Sequence, residues 1–157
     1  MLGLCQFELH QDDAAIKNLL AAENIGVVKD QQLRIVALYH TGLLELRAGK
    51  YGAARETFGQ LATDHIRSKE LTTGMGLAAL LMEPQDSPAN GTPGAGIVQG
   101  AGEEEVLLTA NDFDQAKQMY ARLRSEFPDN PNLHFAFARL LLEAHETDEA
   151  VQELGSA

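Results

Sequence analysis

The chain has 157 residues, of which 45% are hydrophobic and 22% are charged, and its formal net charge is −11. This acidic excess argues against a nucleic-acid-binding protein, which needs a basic surface. No apolar run is long enough for a membrane span, and the single cysteine, Cys5, excludes an intrachain disulfide. The first residues lack the basic and apolar regions of a signal peptide, so the cytoplasm is the default expectation and the compartment stays open.

The charge is divided unevenly between the two halves of the sequence. Residues 1–69 hold eight basic and eight acidic side chains, whereas residues 70–157 hold four basic and fifteen acidic ones. Two interpretations remain open at this point. The acidic half forms either a solvated surface that keeps the protein soluble or a face that attracts a basic partner.

Apolar residues recur with a helical period along most of the chain, which predicts an all-α protein. Gly49 is placed to end one helix, Pro128 stops another, and Asn130-Pro131 supplies an N-cap followed by a proline suited to the first helical position. Both ends of the sequence read as parts of helices, which predicts an excerpt from a longer protein. The predicted helices cover about 1–9, 12–23, 31–47, 51–63, 67–82, 98–109, 112–126, 131–145 and 147–155.

Residues 83–102 interrupt this pattern, since they include three prolines and five glycines. Such a composition predicts a mobile loop, with helix recovering near Val98. In the preceding predicted helix, Gly76 lies 34 residues after Gly42, but the second helix of its pair is missing. We interpret it as an unpaired or shifted helix that lets the array bend at the loop. The alternative is a 28-residue insertion within one repeat.

Four alanines mark an internal repeat, which is the strongest pattern in the sequence. A large apolar or aromatic residue follows each alanine by four positions, and a small residue precedes it by twelve positions in three of the four cases. The exception is Glu104, which precedes Ala116. The anchors are Ala15, Ala54, Ala116 and Ala150, the following residues are Leu19, Phe58, Tyr120 and Leu154, and the small residues are Gly3, Gly42 and Ala138.

This pattern, clearest in residues 38–54 and 111–128, resembles the tetratricopeptide repeat family, whose 34-residue unit is a helix–turn–helix. The resemblance implies a right-handed α-solenoid of stacked antiparallel helix pairs, with about eight or nine helices. It divides the chain into a first block at 1–82, with about two repeats and one extra helix, a Gly/Pro-rich loop at 83–97, and a second block of two repeats at 98–157. The anchor spacings of 39 and 62 residues depart from the family period.

Side chains that could carry chemistry lack supporting motifs. Gly94, Gly96 and Gly100 only partly match a dinucleotide fingerprint, because no strand precedes them. The five histidines do not have metal-ligand spacing, and for His134 a shared hydrogen bond is the favoured interpretation. Residues 103–105 are all glutamates, and we interpret them as acids that complement a helix N-terminus. We therefore expect no catalysis, no cofactor and no metal.

The remaining candidate is a groove on the first helices of the repeats, suited to an extended peptide or a partner helix. The Lys/Asn/Arg set with which some family members hold a C-terminal carboxylate is missing, so we expect a different protein or peptide partner. The alternatives are plain core packing for these residues, a structural or self-assembly role through the terminal helices, and a regulatory domain of a longer protein. The candidate groove residues are Val36, Tyr39, His40, Leu43, Arg47, Asn132, Phe135 and Arg139.

Overall fold

The computed structural model describes residues 2–24 and 31–155. The start of the first predicted helix at residue 1 and the end of the second predicted block at residue 157 lie outside the described residues. Within these ranges the chain forms nine α-helices, one short 3₁₀ turn at Pro84–Asp86 and no β-strand. The expected all-α solenoid of helix pairs is confirmed. The helices are α1 (Leu2–Glu8), α2 (Asp12–Asn24), α3 (Gln31–Arg47), α4 (Tyr51–Thr63), α5 (Lys69–Ala79), α6 (Pro93–Thr109), α7 (Phe113–Glu126), α8 (Pro131–Glu143) and α9 (Thr147–Leu154).

The helix starts follow from side-chain caps that satisfy free backbone N–H groups. The Asn130 side chain accepts a hydrogen bond from the Leu133 N–H, as predicted, and Ser68 and Asp112 cap α5 and α7 in the same way. Thr92 accepts from the Ala95 N–H at the start of α6. These caps explain why each of the four helices begins where it does.

Consecutive helices pack against one another along the array, and the four anchor alanines are fully buried at these contacts. A small core of Phe7, Ala15, Leu19 and Leu44 joins α1 and α2 to α3. A larger core, centred on residues such as Phe58 and Tyr120, extends from α3 to α9. The burial of all four alanines confirms the repeat. If an anchor were exposed, helix packing would not explain its regular spacing.

Two expectations about the middle of the chain are wrong. Helix α6 begins at Pro93 rather than near Val98, because Thr92 caps it and a proline is well suited to the first helical turn. Helix α5 is not unpaired, since it packs extensively on α6. The two helices come close because Gly76 lies against the Val98 carbonyl and Gly102 lies against the Thr72 carbonyl.

The interpretation of the glutamate run as a helix start is also wrong. Residues 103–105 lie deep within α6, and Glu104 and Glu105 are buried. The error follows from the misplaced start of α6, since a helix that begins at Pro93 places these carboxyl groups more than two turns from its N-terminus.

Candidate functional site

Helix α3 separates its apolar side chains between the core and a partly open surface. Leu38, Gly42 and Leu46 are buried, whereas Tyr39 and Leu43 are only partly buried. The Tyr39 ring packs on the core, with its centroid 6.0 Å from that of Phe58. Tyr39 is therefore anchored on one side and accessible on the other.

A mainly apolar pocket of about 220 Å³ opens on one side of Tyr39. Three of the predicted groove residues line it, namely Val36, Tyr39 and His40. Helix α5 and the chain that leads into it supply the opposite wall. The other lining residues are Ile35, Leu61, Ile66, Ser68, Glu70 and Leu71.

Tyr39 also lines a second cleft, of about 480 Å³. Tyr39 and Leu43 form its α3 wall, and Gly74 and Leu77 belong to its α5 wall. The segment that follows α5 forms the far side, where Pro84, Ser87, Pro88, Ala89 and Asn90 line the cleft. This segment is tied to α5 by a 3.0 Å hydrogen bond from Lys69 Nζ to Asn90 Oδ1.

Two titratable side chains set the polarity of these clefts. Burial, and secondly the nearby Glu70 carboxylate, raise the pKa of Tyr39, so its hydroxyl stays protonated at neutral pH. A hydrogen bond with its own backbone, and secondly one with Ser68, hold the pKa of Glu70 below its usual value. The site therefore offers a neutral phenol next to a carboxylate at the rim of an apolar pocket.

His40 has a structural role as well as a place in the pocket. Its Nδ1 lies 2.7 Å from the Val36 carbonyl oxygen, and its ring meets the Phe7 ring edge-on with centroids 4.7 Å apart. Arg47 is directed toward α1 and α2, because its guanidinium lies 4.4 Å above the Phe7 ring and 3.6 Å from Asp12 Oδ1. Arg47 lines neither of the two clefts.

The candidate residues on α8 lie elsewhere. Asn132, Phe135 and Arg139 line neither cleft beside Tyr39. Phe135 is 42% exposed, and Arg139 is ion-paired with Glu105 of α6. The structure thus brings together Val36, Tyr39, His40 and Leu43 and does not add the α8 residues to that site.

Sequence reasoning missed the α5 side of the site and the segment after it. Glu70, Leu71 and Leu77 complete the clefts, together with the prolines at 84 and 88. The one available signal was Gly76, because its register with Gly42 marks α5 as the next first helix after α3. The sequence contains no comparable signal for the path of the Pro-rich segment that follows α5.

Other candidate residues have structural roles. His134 is buried, with Nδ1 2.6 Å from Glu153 Oε1 and Nε2 2.8 Å from the Pro128 carbonyl oxygen. Gly94 and Gly96 lie in the first turns of α6, and the element before them is the 3₁₀ turn rather than a strand. Across 2–24 and 31–155, no three His, Cys, Asp or Glu side chains come together as metal ligands would.

Two models of the tetratricopeptide repeat match the chain, one over residues 107–157 and the other over residues 36–65, which is together more than half of it. The chain belongs to the tetratricopeptide repeat family. Tetratricopeptide repeats generally mediate protein–protein interaction and are typically non-enzymatic. Searches of curated proteins and of solved structures found no significant match. In the described part of this tetratricopeptide repeat protein, none of the helices has the length and apolar character needed to cross a membrane.

Proposed function

We propose that this tetratricopeptide repeat protein binds an extended peptide or a helix of a partner protein in the two clefts beside Tyr39, on the concave side of the array. The observation that carries the proposal is the position of Tyr39, which lines both clefts while its ring rests on the buried Phe58. A rigid, partly exposed aromatic side chain contributes strongly to binding because little conformational entropy is lost when it is covered.

The shape and polarity of the site suit a segment with one large apolar side chain. The pocket lined by Val36, Tyr39 and His40 is mainly apolar, and Glu70 lies at its edge. The wider cleft beside Leu43 leaves room for the neighbouring part of the same segment. Because the pocket walls belong to helices that are packed into the core, we expect little backbone movement on binding.

Selection from a random peptide library on the intact chain tests this proposal. Selected peptides are titrated by fluorescence anisotropy against the wild type and Tyr39→Ala. We expect Tyr39→Ala to weaken binding by about tenfold or more, as is usual for an aromatic hot spot. Leu142→Ala serves as the matched control, because Leu142 is an exposed apolar residue of α8.

Circular dichroism separates binding from folding in this experiment. A Tyr39→Ala protein with wild-type helix content and weaker binding supports the proposed site. Equal binding by the wild type and Tyr39→Ala contradicts it, and a loss of helix signal assigns Tyr39 to the core. The same titration with Phe135→Ala decides whether α8 belongs to the binding surface, as the sequence pattern predicts.

A second candidate function is self-association through the terminal helices. Val151 and Leu154 of α9 are 64% and 46% exposed, and at the other end Leu2 of α1 is 62% exposed. Apolar side chains exposed on these two helices favour contact with another copy. Light scattering over a range of concentrations tests this function, and a strict monomer at high concentration contradicts it.

A further inference from the structure

A recurring contact joins the two helices of a repeat. At the anchors Ala15 and Ala54, the residue twelve positions earlier faces the residue four positions later. A Cβ placed on Gly3 would lie 2.8 Å from Leu19 Cγ, and one placed on Gly42 would lie 2.6 Å from the Phe58 ring. The absence of a side chain at these glycines is what admits the large residue of the facing helix.

At the crossing of α6 and α7 the same position holds a carboxylic acid. Glu104 stands twelve residues before Ala116, and Tyr120 stands four residues after it. Both Glu104 and Tyr120 are fully buried. In the described part of the chain, neither carboxyl oxygen of Glu104 nor the Tyr120 hydroxyl has a well-formed hydrogen bond, although the Tyr120 hydroxyl lies close enough to the Glu104 carboxyl to lower its pKa.

The charged groups around this pair compensate a negative charge on Glu104 only in part, because Arg139 lowers its pKa but is itself paired with Glu105. Its neighbour Glu105 is ion-paired with Arg55 of α4 and with Arg139 of α8. Arg139 also lies 3.9 Å from Glu143 Oε1. Both guanidinium groups are therefore engaged with other carboxylates, and Glu105 itself repels a second negative charge on α6.

The Glu104 carboxyl is accordingly held in its neutral form. Burial, more than any other cause, raises the pKa of Glu104 to about 10; the charge of Glu105 adds to this effect, while the Tyr120 hydroxyl and Arg139 oppose it. Burial and the two glutamates also raise the pKa of Tyr120, while Arg139 and Arg55 lower it. At neutral pH the closed crossing of α6 and α7 therefore contains a protonated Glu104.

We propose that Glu104 is a proton-operated latch between α6 and α7, which keeps the two helices together while its carboxyl is protonated and lets them separate when the proton is lost. The latch lies beside the ion pairs that connect α6 to α4 and α8 through Glu105. Opening of the latch therefore weakens the contact of α4 and α6, in the middle of the array, with the last two helices, α8 and α9.

The direction of the pH dependence follows from proton linkage. In the open state Glu104 has the ordinary glutamate pKa of 4.5, and in the closed state its pKa is about 10. Between these values the open state binds fewer protons, so the equilibrium constant for opening rises with pH by up to about tenfold per unit. Below about pH 4.5, Glu104 is protonated in both states and adds no pH dependence to the opening.

Amide hydrogen exchange on the intact chain tests the latch, with wild type and Glu104→Gln compared at about pH 6 and at about pH 9. Glutamine has nearly the same shape and cannot ionise. We expect the wild-type α6 and α7 amides to exchange progressively faster than those of Glu104→Gln as the pH rises, with a ratio that grows by up to about tenfold per unit. Glu103→Gln is the matched control, because Glu103 is exposed on the same helix and should follow the wild type.

The latch is overturned if the exchange ratio between the wild type and Glu104→Gln is the same at both pH values. A second measurement uses only the wild type, in case Glu104→Gln does not fold. The ¹³C chemical shift of the Glu104 side-chain carboxyl is followed by NMR during a pH titration. A midpoint far above the ordinary glutamate range supports the latch, and a midpoint near 4.5 overturns it.

Discussion

The Phe58 ring occupies the space that a side chain at Gly42 would need, since a Cβ at Gly42 would lie 2.6 Å from two carbons of that ring. Phe58 is fully buried in the core of the array, so it cannot move aside without disturbing α3, α4 and α5. The pair thus fixes the distance between α3 and α4.

Gly42→Ala should therefore lower the free energy of unfolding by about 1–3 kcal/mol, because the added methyl group overpacks the core. Gly52→Ala is the control, since Gly52 is helical and a Cβ there meets nothing within 4 Å. The control should raise stability by up to about 1 kcal/mol through helix propensity. Urea unfolding followed by far-UV circular dichroism checks both values, and equal effects of the two substitutions would refute the close crossing.

A similar comparison tests the contact between α5 and α6. A Cβ at Gly76 would overlap the Val98 carbonyl oxygen, and one at Gly102 would overlap the Thr72 carbonyl oxygen. Because backbone atoms cannot rotate away, either alanine substitution should cost about 3 kcal/mol or more. Gly96→Ala on the same helix meets nothing within 4 Å and should be neutral or stabilising. Urea denaturation midpoints of the three variants decide the matter, and a harmless Gly76→Ala would mean that the helices cross elsewhere.

The repeat and most helix boundaries could be predicted because they depend on local signals. Ala54 and Ala116 are fully buried, as their fixed spacing to a large apolar residue required. The start of α6 was missed because proline and glycine content was weighed against a helix. Thr92-Pro93 is nevertheless the same kind of start signal as Asn130-Pro131. Glycine in α6 is tolerated because Gly102 gains a close helix contact that no other residue permits.

The candidate site could be predicted only on one of its two helices. Periodicity placed Tyr39 and Leu43 together on α3, and the structure finds both in the wider cleft. Arg139 was placed in the groove from its spacing along α8, whereas its guanidinium is ion-paired with Glu105 of α6. Glu105 and Arg139 are 34 positions apart on different helices, and their contact depends on how α6 packs against α8. The periodicity of apolar residues within one helix does not predict that packing.

Arg55 joins three helices through ion pairs, and its removal should be costly. Its Nη1 and Nη2 donate to the two carboxyl oxygens of Glu143 at 2.8 and 3.0 Å, and its Nε donates to the buried Glu105. Arg55→Ala leaves Glu105 with Arg139 as its remaining partner in this cluster. We expect a loss of about 3 kcal/mol, because a buried carboxylate then lacks part of its compensation.

Arg122→Ala provides the matched control for Arg55→Ala. Arg122 is paired with Glu126, but its side chain is 81% exposed. An exposed pair within one helix contributes only about 0.3–0.5 kcal/mol. Thermal unfolding of the two variants gives the comparison. A loss for Arg55→Ala as small as that for Arg122→Ala would show that the Glu105 cluster adds nothing to stability.

The last prediction concerns the turns in which helices end on a left-handed residue. At the end of α8, His145 has a φ of 63°, its N–H bonds to the Leu142 carbonyl, and the Glu146 N–H bonds to the Leu141 carbonyl. Gly49 has a φ of 67° in the corresponding turn after α3. Only glycine adopts this conformation without a steric penalty, which is about 1–2 kcal/mol for other residues. His145→Gly should therefore raise stability by about 0.5–1 kcal/mol, and Gly49→Ala should lower it by about 1 kcal/mol.

A glycine control separates this local strain from the general entropic cost of glycine. Ala110 is exposed at the end of α6 and has a φ of −91°, so Ala110→Gly relieves no strain. We expect Ala110→Gly to destabilise by about 0.5–1 kcal/mol, opposite in sign to His145→Gly. Guanidinium unfolding curves of both variants measure the difference. If His145→Gly and Ala110→Gly destabilise the protein equally, the left-handed backbone of His145 carries no free-energy penalty. Helix packing, and not tolerance of backbone strain, would then explain these turns.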